Sequence, residues 1–215
     1  MSNHLLITRP NHDVATNYLY YWSQDILEAA KRKARPVVDL KSRRATKKEF
    51  TSILKKVQPS LVIINGHGSG STVMGQDDEP LVTTRDNLDI FKGKIVYARS
   101  CKSAQKLGPA CVAQGAKAYI GYSDDFVFIC DQSKLTKPKQ DNTAKLFLEP
   151  ANQIATGLIK GLTAGDAQIK SMKHYRRNIR RLMTSEVSKE ESDLLPYLTW
   201  DMRHQVCLGD ENARG

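Results

Sequence analysis

No apolar run in this 215-residue sequence approaches the ~20 residues that a membrane-spanning helix needs. Met1 to Pro10 also lacks the charged start and long apolar stretch of a secretory signal, so a soluble cytoplasmic protein without a membrane span is expected. Cysteine is scarce. Cys101, Cys111, Cys130 and Cys207 show no CxxC spacing, which argues against a zinc site and, in a reducing compartment, against disulfides. No acidic loop has the EF-hand pattern, and Asp77-Asp78-Glu79 is too short to argue for a metal site. Zinc-finger spacing, RNP-type aromatic motifs, internal repeats and low-complexity segments are missing too. Neither metal nor cofactor is therefore expected.

Acidic residues are outnumbered, with 23 Asp+Glu against 33 Lys+Arg for a formal charge of +10. The excess is clustered in Lys31-Arg32-Lys33, Lys41 to Lys48 and Lys170 to Arg181. Such clusters attract polyanions, acidic membrane surfaces or acidic proteins, yet most charge runs are simply solvated faces. Nucleic-acid binding through Lys170 to Arg181 stays open as an alternative that no motif favours.

With 40% hydrophobic residues, the chain can bury a substantial core, and a single domain over 1–215 is expected. Leu5 to Thr8 and Pro36 to Leu40 read as buried strands, with a helix from Asp13 to Lys33 between them and Asp13 as its N-cap. A helix capped by Thr46 and Glu49 ends at Gln58-Pro59 before the strand Leu61 to Ile64. A hairpin over Thr72 to Thr83 and a helix over Thr84 to Phe91 lead to the strand Ile95 to Ala98. After it, Ala104 to Gln114 has the composition of a helix and Ala118 to Tyr122 that of a strand.

Two long helices follow, about Thr143 to Leu162 and Ala164 to Ser185. The second sets Ile169, Met172, Ile179, Leu182 and Met183, expected in the core, against a basic face. Tyr197 to Trp200 and Gln205 to Leu208 read as a terminal hairpin extending the sheet edge. Alternation of helices and strands gives an α/β fold with a mostly parallel sheet.

Two of these strands deliver reactive side chains at their C-terminal ends. Leu61-Val62-Ile63-Ile64-Asn65-Gly66-His67-Gly68 ends in a histidine between glycines, and Ile95-Val96-Tyr97-Ala98-Arg99-Ser100-Cys101 ends in a cysteine. The spacing accommodates one crossover between neighbouring parallel strands, so both side chains can stand over one rim of the sheet. A thiol near its ordinary pKa is mostly protonated at neutral pH, and His67 is the candidate base for Cys101. The N–H groups of Gly68 and Cys101 are candidate oxyanion donors. The helix expected after Cys101 would favour the thiolate through its N-terminal field. The remaining cysteines read as packing residues, and His4, His12, His174 and His204 have no comparable context.

The order strand-His-Gly, strand-Ser-Cys, then Gly115-Ala116-Lys117-Ala118-Tyr119-Ile120-Gly121-Tyr122, resembles the caspase-like cysteine peptidases: caspases, metacaspases, gingipains, clostripain, separase and the prokaryotic CHAT-domain proteases. The resemblance implies a caspase-like α/β/α sandwich, His67 as general base and acid, Cys101 as nucleophile, and Gly68 with Cys101 as oxyanion donors. It also implies a large-subunit-like part over about 1–132, a flexible loop over about 133–142 and a small-subunit-like part over about 143–215. Metacaspases carry Asp-Ser-Cys at the nucleophile, where this chain has Arg99-Ser100-Cys101. Arg99 at the wall of the substrate pocket would repel a basic P1 side chain, whereas Asp124 and Asp125 after the next strand would attract one. The function implied is an endopeptidase with a protein substrate in a prokaryotic regulatory or defence pathway, with an activating protein partner as in several relatives. A catalytically silent scaffold is the other alternative.

Overall fold

The computed structural model describes residues 2–184 and 187–215. Its centre is a six-stranded sheet of β1 (Ser2–Arg9), β2 (Val37–Lys41), β3 (Pro59–Asn65), β4 (Ile95–Arg99), β5 (Ala118–Tyr122) and β6 (Gln205–Gly209), in the order β2-β1-β3-β4-β5-β6. The first five strands are parallel and β6 runs antiparallel to β5 at the edge. Side-chain alternation sends successive residues to opposite layers. Leu5, Leu61, Ile63, Ile95 and Tyr97 pack on one face, while Leu6, Val62, Ile64, Val96 and Ala98 pack on the other.

The first face is covered by α1 (Val14–Trp22), α2 (Gln24–Arg32) and α5 (Asn142–Ile159), through Trp22, Ile26, Leu148 and Ile154. The second is covered by α3 (Lys47–Val57) and α4 (Leu107–Ala113), through Phe50, Leu54 and Leu107. Helices on both faces of a mostly parallel sheet make the expected α/β/α sandwich. A small antiparallel sheet of Gly68–Ser69, Thr72–Met74 and Pro80–Thr83 contains the expected hairpin and stands beside the end of β3. No described helix is long and apolar enough to cross a membrane.

Elsewhere tertiary contacts override local pattern. The single helix expected over Asp13 to Lys33 is divided at buried Ser23, whose hydroxyl donates to Leu19 O (2.6 Å) and accepts from Arg99. The helix expected over Thr84 to Phe91 shrinks to one tight turn, Leu88–Phe91, because Asp86 accepts from Thr83 N and Asn87 caps Asp89 N. Ala104 to Gln114 forms a helix only from Leu107. Before it, Lys102, Ala104 and Lys106 donate their N–H groups to Asp124, Tyr122 and Gly70.

The terminal hairpin is half right, since β6 extends the sheet edge but Tyr197 to Trp200 lies within α8 (Leu195–His204). Pro196 in its first turn and the buried Leu194, Leu198 and Asp201 at helical spacing fix that outcome. The second long helix, α6 (Ala164–Leu182), buries Ala167, Ser171, Tyr175, Asn178 and Leu182. Ile169 and Met183 of the expected apolar stripe are instead exposed, at 48% and 71%, and Ser185 lies outside the described residues. The buried polar positions of α6 serve α5: Pro150 has no N–H for Leu146 O, and Asn178 Nδ2 donates to that carbonyl at 2.8 Å. The short helix α7 (Lys189–Ser192) precedes α8.

The stretch 133–142 consists of two short turns anchored to α1 and α2. Trp22 Nε1 donates to Pro138 O (3.0 Å), Lys139 Nζ to Asp25 Oδ2 (2.7 Å) and Tyr18 Oη to Asp141 Oδ2 (2.7 Å).

Candidate active site

The register of β3 against β4 pairs Asn65 with Arg99. His67 and Cys101 each lie two residues beyond that pair, so they leave adjacent strands over the same rim. Gly66 takes φ +148°, and a Cβ there would meet Met74 O at 2.2 Å. At Gly68 a Cβ would stand 2.0 Å from Ser100 Oγ and 2.8 Å from Cys101 O. Only glycine lets the backbone after His67 lie against the backbone at Cys101.

His67 Nε2 meets Asp13 Oδ2 at 2.5 Å. Asp13 is the N-cap of α1, as expected, and its other carboxylate oxygen accepts from Thr16 N (2.7 Å) and Thr16 Oγ1 (2.6 Å). Burial pushes this carboxyl up, but the bonds from Thr16 and His67 outweigh it and bring it down to about 2. An ionised carboxylate thus holds one nitrogen of His67 and fixes the ring's orientation. This partner was missed in the sequence, where Asp13 showed only its capping role. The one available signal was its position just past the C-terminal end of β1, at the rim where β3 and β4 also end.

Cys101 is half-buried, and its thiol donates to Phe126 O at 3.7 Å. Burial pushes the thiol up, and the nearby carboxyls of Asp125 and Asp201 add to the shift. The expected helix field is absent because residues 101–106 form turns and α4 begins at Leu107. Burial also pushes Cys111 up to about 12 and Cys207 up to about 11.

Arg99, expected at the pocket wall, is fully buried at 0% exposure. Its Nε donates to Asn65 Oδ1 (2.7 Å), Nη1 to Asn152 Oδ1 (2.7 Å) and Nη2 to Ser23 Oγ (2.6 Å). The guanidinium ties β3, β4, α5 and the α1–α2 junction together through neutral groups, so its charge is spent inside the fold and it forms no pair with Asp124 or Asp125. Those carboxylates pair with Lys102 Nζ, at 3.7 Å and 3.1 Å.

The segment carrying Asp125 to Phe128 is fastened by α8. Trp200 Nε1 donates to Asp125 O (3.0 Å), and Val127 N donates to Asp201 Oδ1 (2.9 Å). Asp201 is fully buried, and desolvation raises its carboxyl far above the usual range. Between this segment and α1 lies a cavity of about 360 Å³, bordered by His67, Cys101 and, as expected, Arg99, and walled by Val14, Ala15, Leu19, Phe126, Val127 and Phe128. The structure thus brings together His67, Gly68, Cys101 and Asp13, with Asp125 nearby, and turns the Arg99 guanidinium into a structural tie.

No protein-family model matches the sequence, and no curated protein matches it significantly. Among solved structures, the chain is similar to gingipain R, an Arg-specific cysteine proteinase, with TM-score 0.64 and 11% identity over 98% of this chain and 46% of that one. It spans less than half the length of that neighbour. An inactive zymogen C11 protease from Parabacteroides distasonis aligns at TM-score 0.47 and 13% identity, over 80% of this chain and 58% of that one. Sheet order, layering and the first of these likenesses together give the chain the caspase-like α/β fold.

Proposed function

We propose that the protein is a cysteine endopeptidase that cleaves protein substrates through an acyl-enzyme on Cys101. The observation that carries this reading is the pairing of Asn65 with Arg99, which sets His67 and Cys101 on adjacent strand ends with Gly68 against the nucleophile's backbone. His67 takes the thiol proton as sulfur attacks the scissile carbonyl, and the N–H groups of Gly68 and Cys101 receive the oxyanion. The tetrahedral intermediate collapses as His67 protonates the leaving amine. Water, deprotonated by the same imidazole, then hydrolyses the thioester. Asp13 orients His67 and stabilises the imidazolium formed at each proton transfer.

The raised Cys101 thiol supports a resting state without a preformed thiolate, in which proton transfer accompanies substrate binding. The cavity walls support an aliphatic or aromatic P1 side chain, because no carboxylate lines them and Arg99 is shielded by neutral partners. An acidic P1 is the second reading, favoured by the buried Arg99 charge having no carboxylate in direct contact.

Peptide libraries varied at P1 test both. Cleavage after Leu, Phe or Met that disappears in Cys101→Ala supports the proposal. Cleavage after Asp or Glu supports the second reading, and cleavage only after Lys or Arg overturns both.

A further inference from the structure

We propose that His12, His67 and Asp78 form a site for a divalent transition-metal ion of the zinc class, whose occupation withdraws His67 from catalysis and holds the peptidase off. The regulatory half of this inference rests on the function proposed above. The binding half does not.

One donor atom from each of the three residues lies within 4.8 Å of the others. His12 Nε2 already stands 3.3 Å from Asp78 Oδ1, matching the separation of roughly 3.3 Å between two ligands at tetrahedral zinc. Both nitrogens of the His12 ring are buried without a well-formed hydrogen bond, Nδ1 having no partner and Nε2 having only the Asp78 carboxylate at 3.3 Å. A neutral imidazole carries one N–H and one lone pair, and burying either without a well-aligned partner is unfavourable unless something else takes it. A metal ion would accept that lone pair.

The carriers of these donors are fastened to one another. Asn11 N donates to Gln76 Oε1 (2.9 Å), and Gln76 Nε2 donates to Asp77 Oδ1 (2.9 Å), which ties the turn bearing Asp78 to the loop bearing His12. Met74 N donates to His67 O (2.9 Å), fixing the third donor to the same small sheet. Asp13 on His67 supplies the outer carboxylate that orients a ligating histidine. Two imidazoles and one carboxylate suit zinc better than calcium or magnesium, and Asp78 is 58% exposed, so an ion can enter from solvent. Once metallated, the imidazole has one nitrogen on the ion and a proton on the other. It then has no lone pair for the Cys101 thiol.

The test uses metal-stripped full-length protein titrated with zinc against a chromogenic chelator. One zinc per chain is expected in the unsubstituted protein and in Cys101→Ala, with affinity weakened more than about tenfold in His12→Ala, His12→Gln and Asp78→Asn. Thermal melts of each variant separate loss of the site from loss of the fold. Unchanged affinity in folded His12 and Asp78 variants, or loss of binding in Cys101→Ala, overturns the site. Zinc should suppress peptide cleavage in the unsubstituted protein and leave folded His12→Gln active. Undiminished cleavage by zinc-loaded protein overturns the regulatory half, whereas zinc binding without any cleavage at all counts against the proposed peptidase and not against the site.

Discussion

The two sides of the candidate site are prepared differently. On the histidine side, polar groups from three segments converge: Asp13 grips one ring nitrogen of His67, His12 lies 6.2 Å away ring to ring, and Asp78 stands beyond it. On the cysteine side, the thiol sits among Phe126, Val127 and Phe128, the neighbouring Lys102 ammonium is taken up by Asp124 and Asp125, and burial raises the thiol's pKa. In the proposed mechanism the base is thus oriented in advance while the nucleophile is held back, and a bound peptide must bring its carbonyl to sulfur and draw the proton across to His67. The contrast also separates positioning, which the fold supplies, from activation, which it leaves to the substrate.

Removing either half of the contrast should have the largest effect. Cys101→Ala and His67→Ala should each lower kcat/KM for peptide cleavage by a factor on the order of 10³ or more. Gly68→Ala comes next, because its methyl group would collide with Ser100 Oγ and Cys101 O. Activity should fall by about 10²-fold, a loss comparable to that of one oxyanion donor.

Asp13→Asn sharpens the comparison on the histidine side. It keeps the shape of the N-cap but removes the charge facing the imidazolium, so kcat should drop by roughly 10-fold or more with little change in KM. The same carboxyl links stability to pH. Its folded pKa of about 2 lies below the ordinary value near 3.9, so its contribution is present above about pH 4 and is lost as pH falls toward 2. Stability followed by circular dichroism should therefore fall more steeply between about pH 4 and about pH 2 in the unsubstituted protein than in Asp13→Asn, the two converging at the acid end.

On the cysteine side, alkylation of Cys101 by free iodoacetamide should keep accelerating above pH 8.5, without a plateau near neutrality, because the thiol is raised. A plateau at pH 6 to 7 would mean a preformed ion pair and erase the difference between the two sides. The smallest effect is expected for Asp201→Asn. Burial raises the Asp201 carboxyl far above the usual range, and an amide of the same shape that still accepts from Val127 N should shift stability by no more than about 1 kcal/mol.

Much of the strand framework was legible in the sequence because parallel strands buried on both faces read as near-continuous apolar runs, as in Leu61 to Ile64 and Ile95 to Ala98. The glycines around His67 were visible in the sequence, but the backbone they must clear, at Met74 and Cys101, was not. Features set by distant partners were hidden. Asp13 is 54 residues from His67 in sequence and looked like an ordinary cap. The break at Ser23 answers to Arg99, and the turns after Cys101 exist because Gly70, Tyr122 and Asp124 take their N–H groups. Arg99 was expected at the pocket wall and does border the cavity, but nothing local revealed the three neutral oxygens that hold its guanidinium inside the fold. In α8, Tyr197 and Trp200 suggested a strand, and the buried spacing of Leu194, Leu198 and Asp201 outweighed them.

The central claim is most directly tested by intact-mass and peptide-mapping analysis of the protein after incubation at pH 6 to 7 with a peptidyl acyloxymethyl ketone bearing an apolar P1 residue. The account predicts a single adduct, on Cys101, whose formation slows sharply in His67→Ala and is absent in Cys101→Ala. Slow labelling spread over Cys101, Cys130 and Cys207, unchanged in His67→Ala, would contradict it.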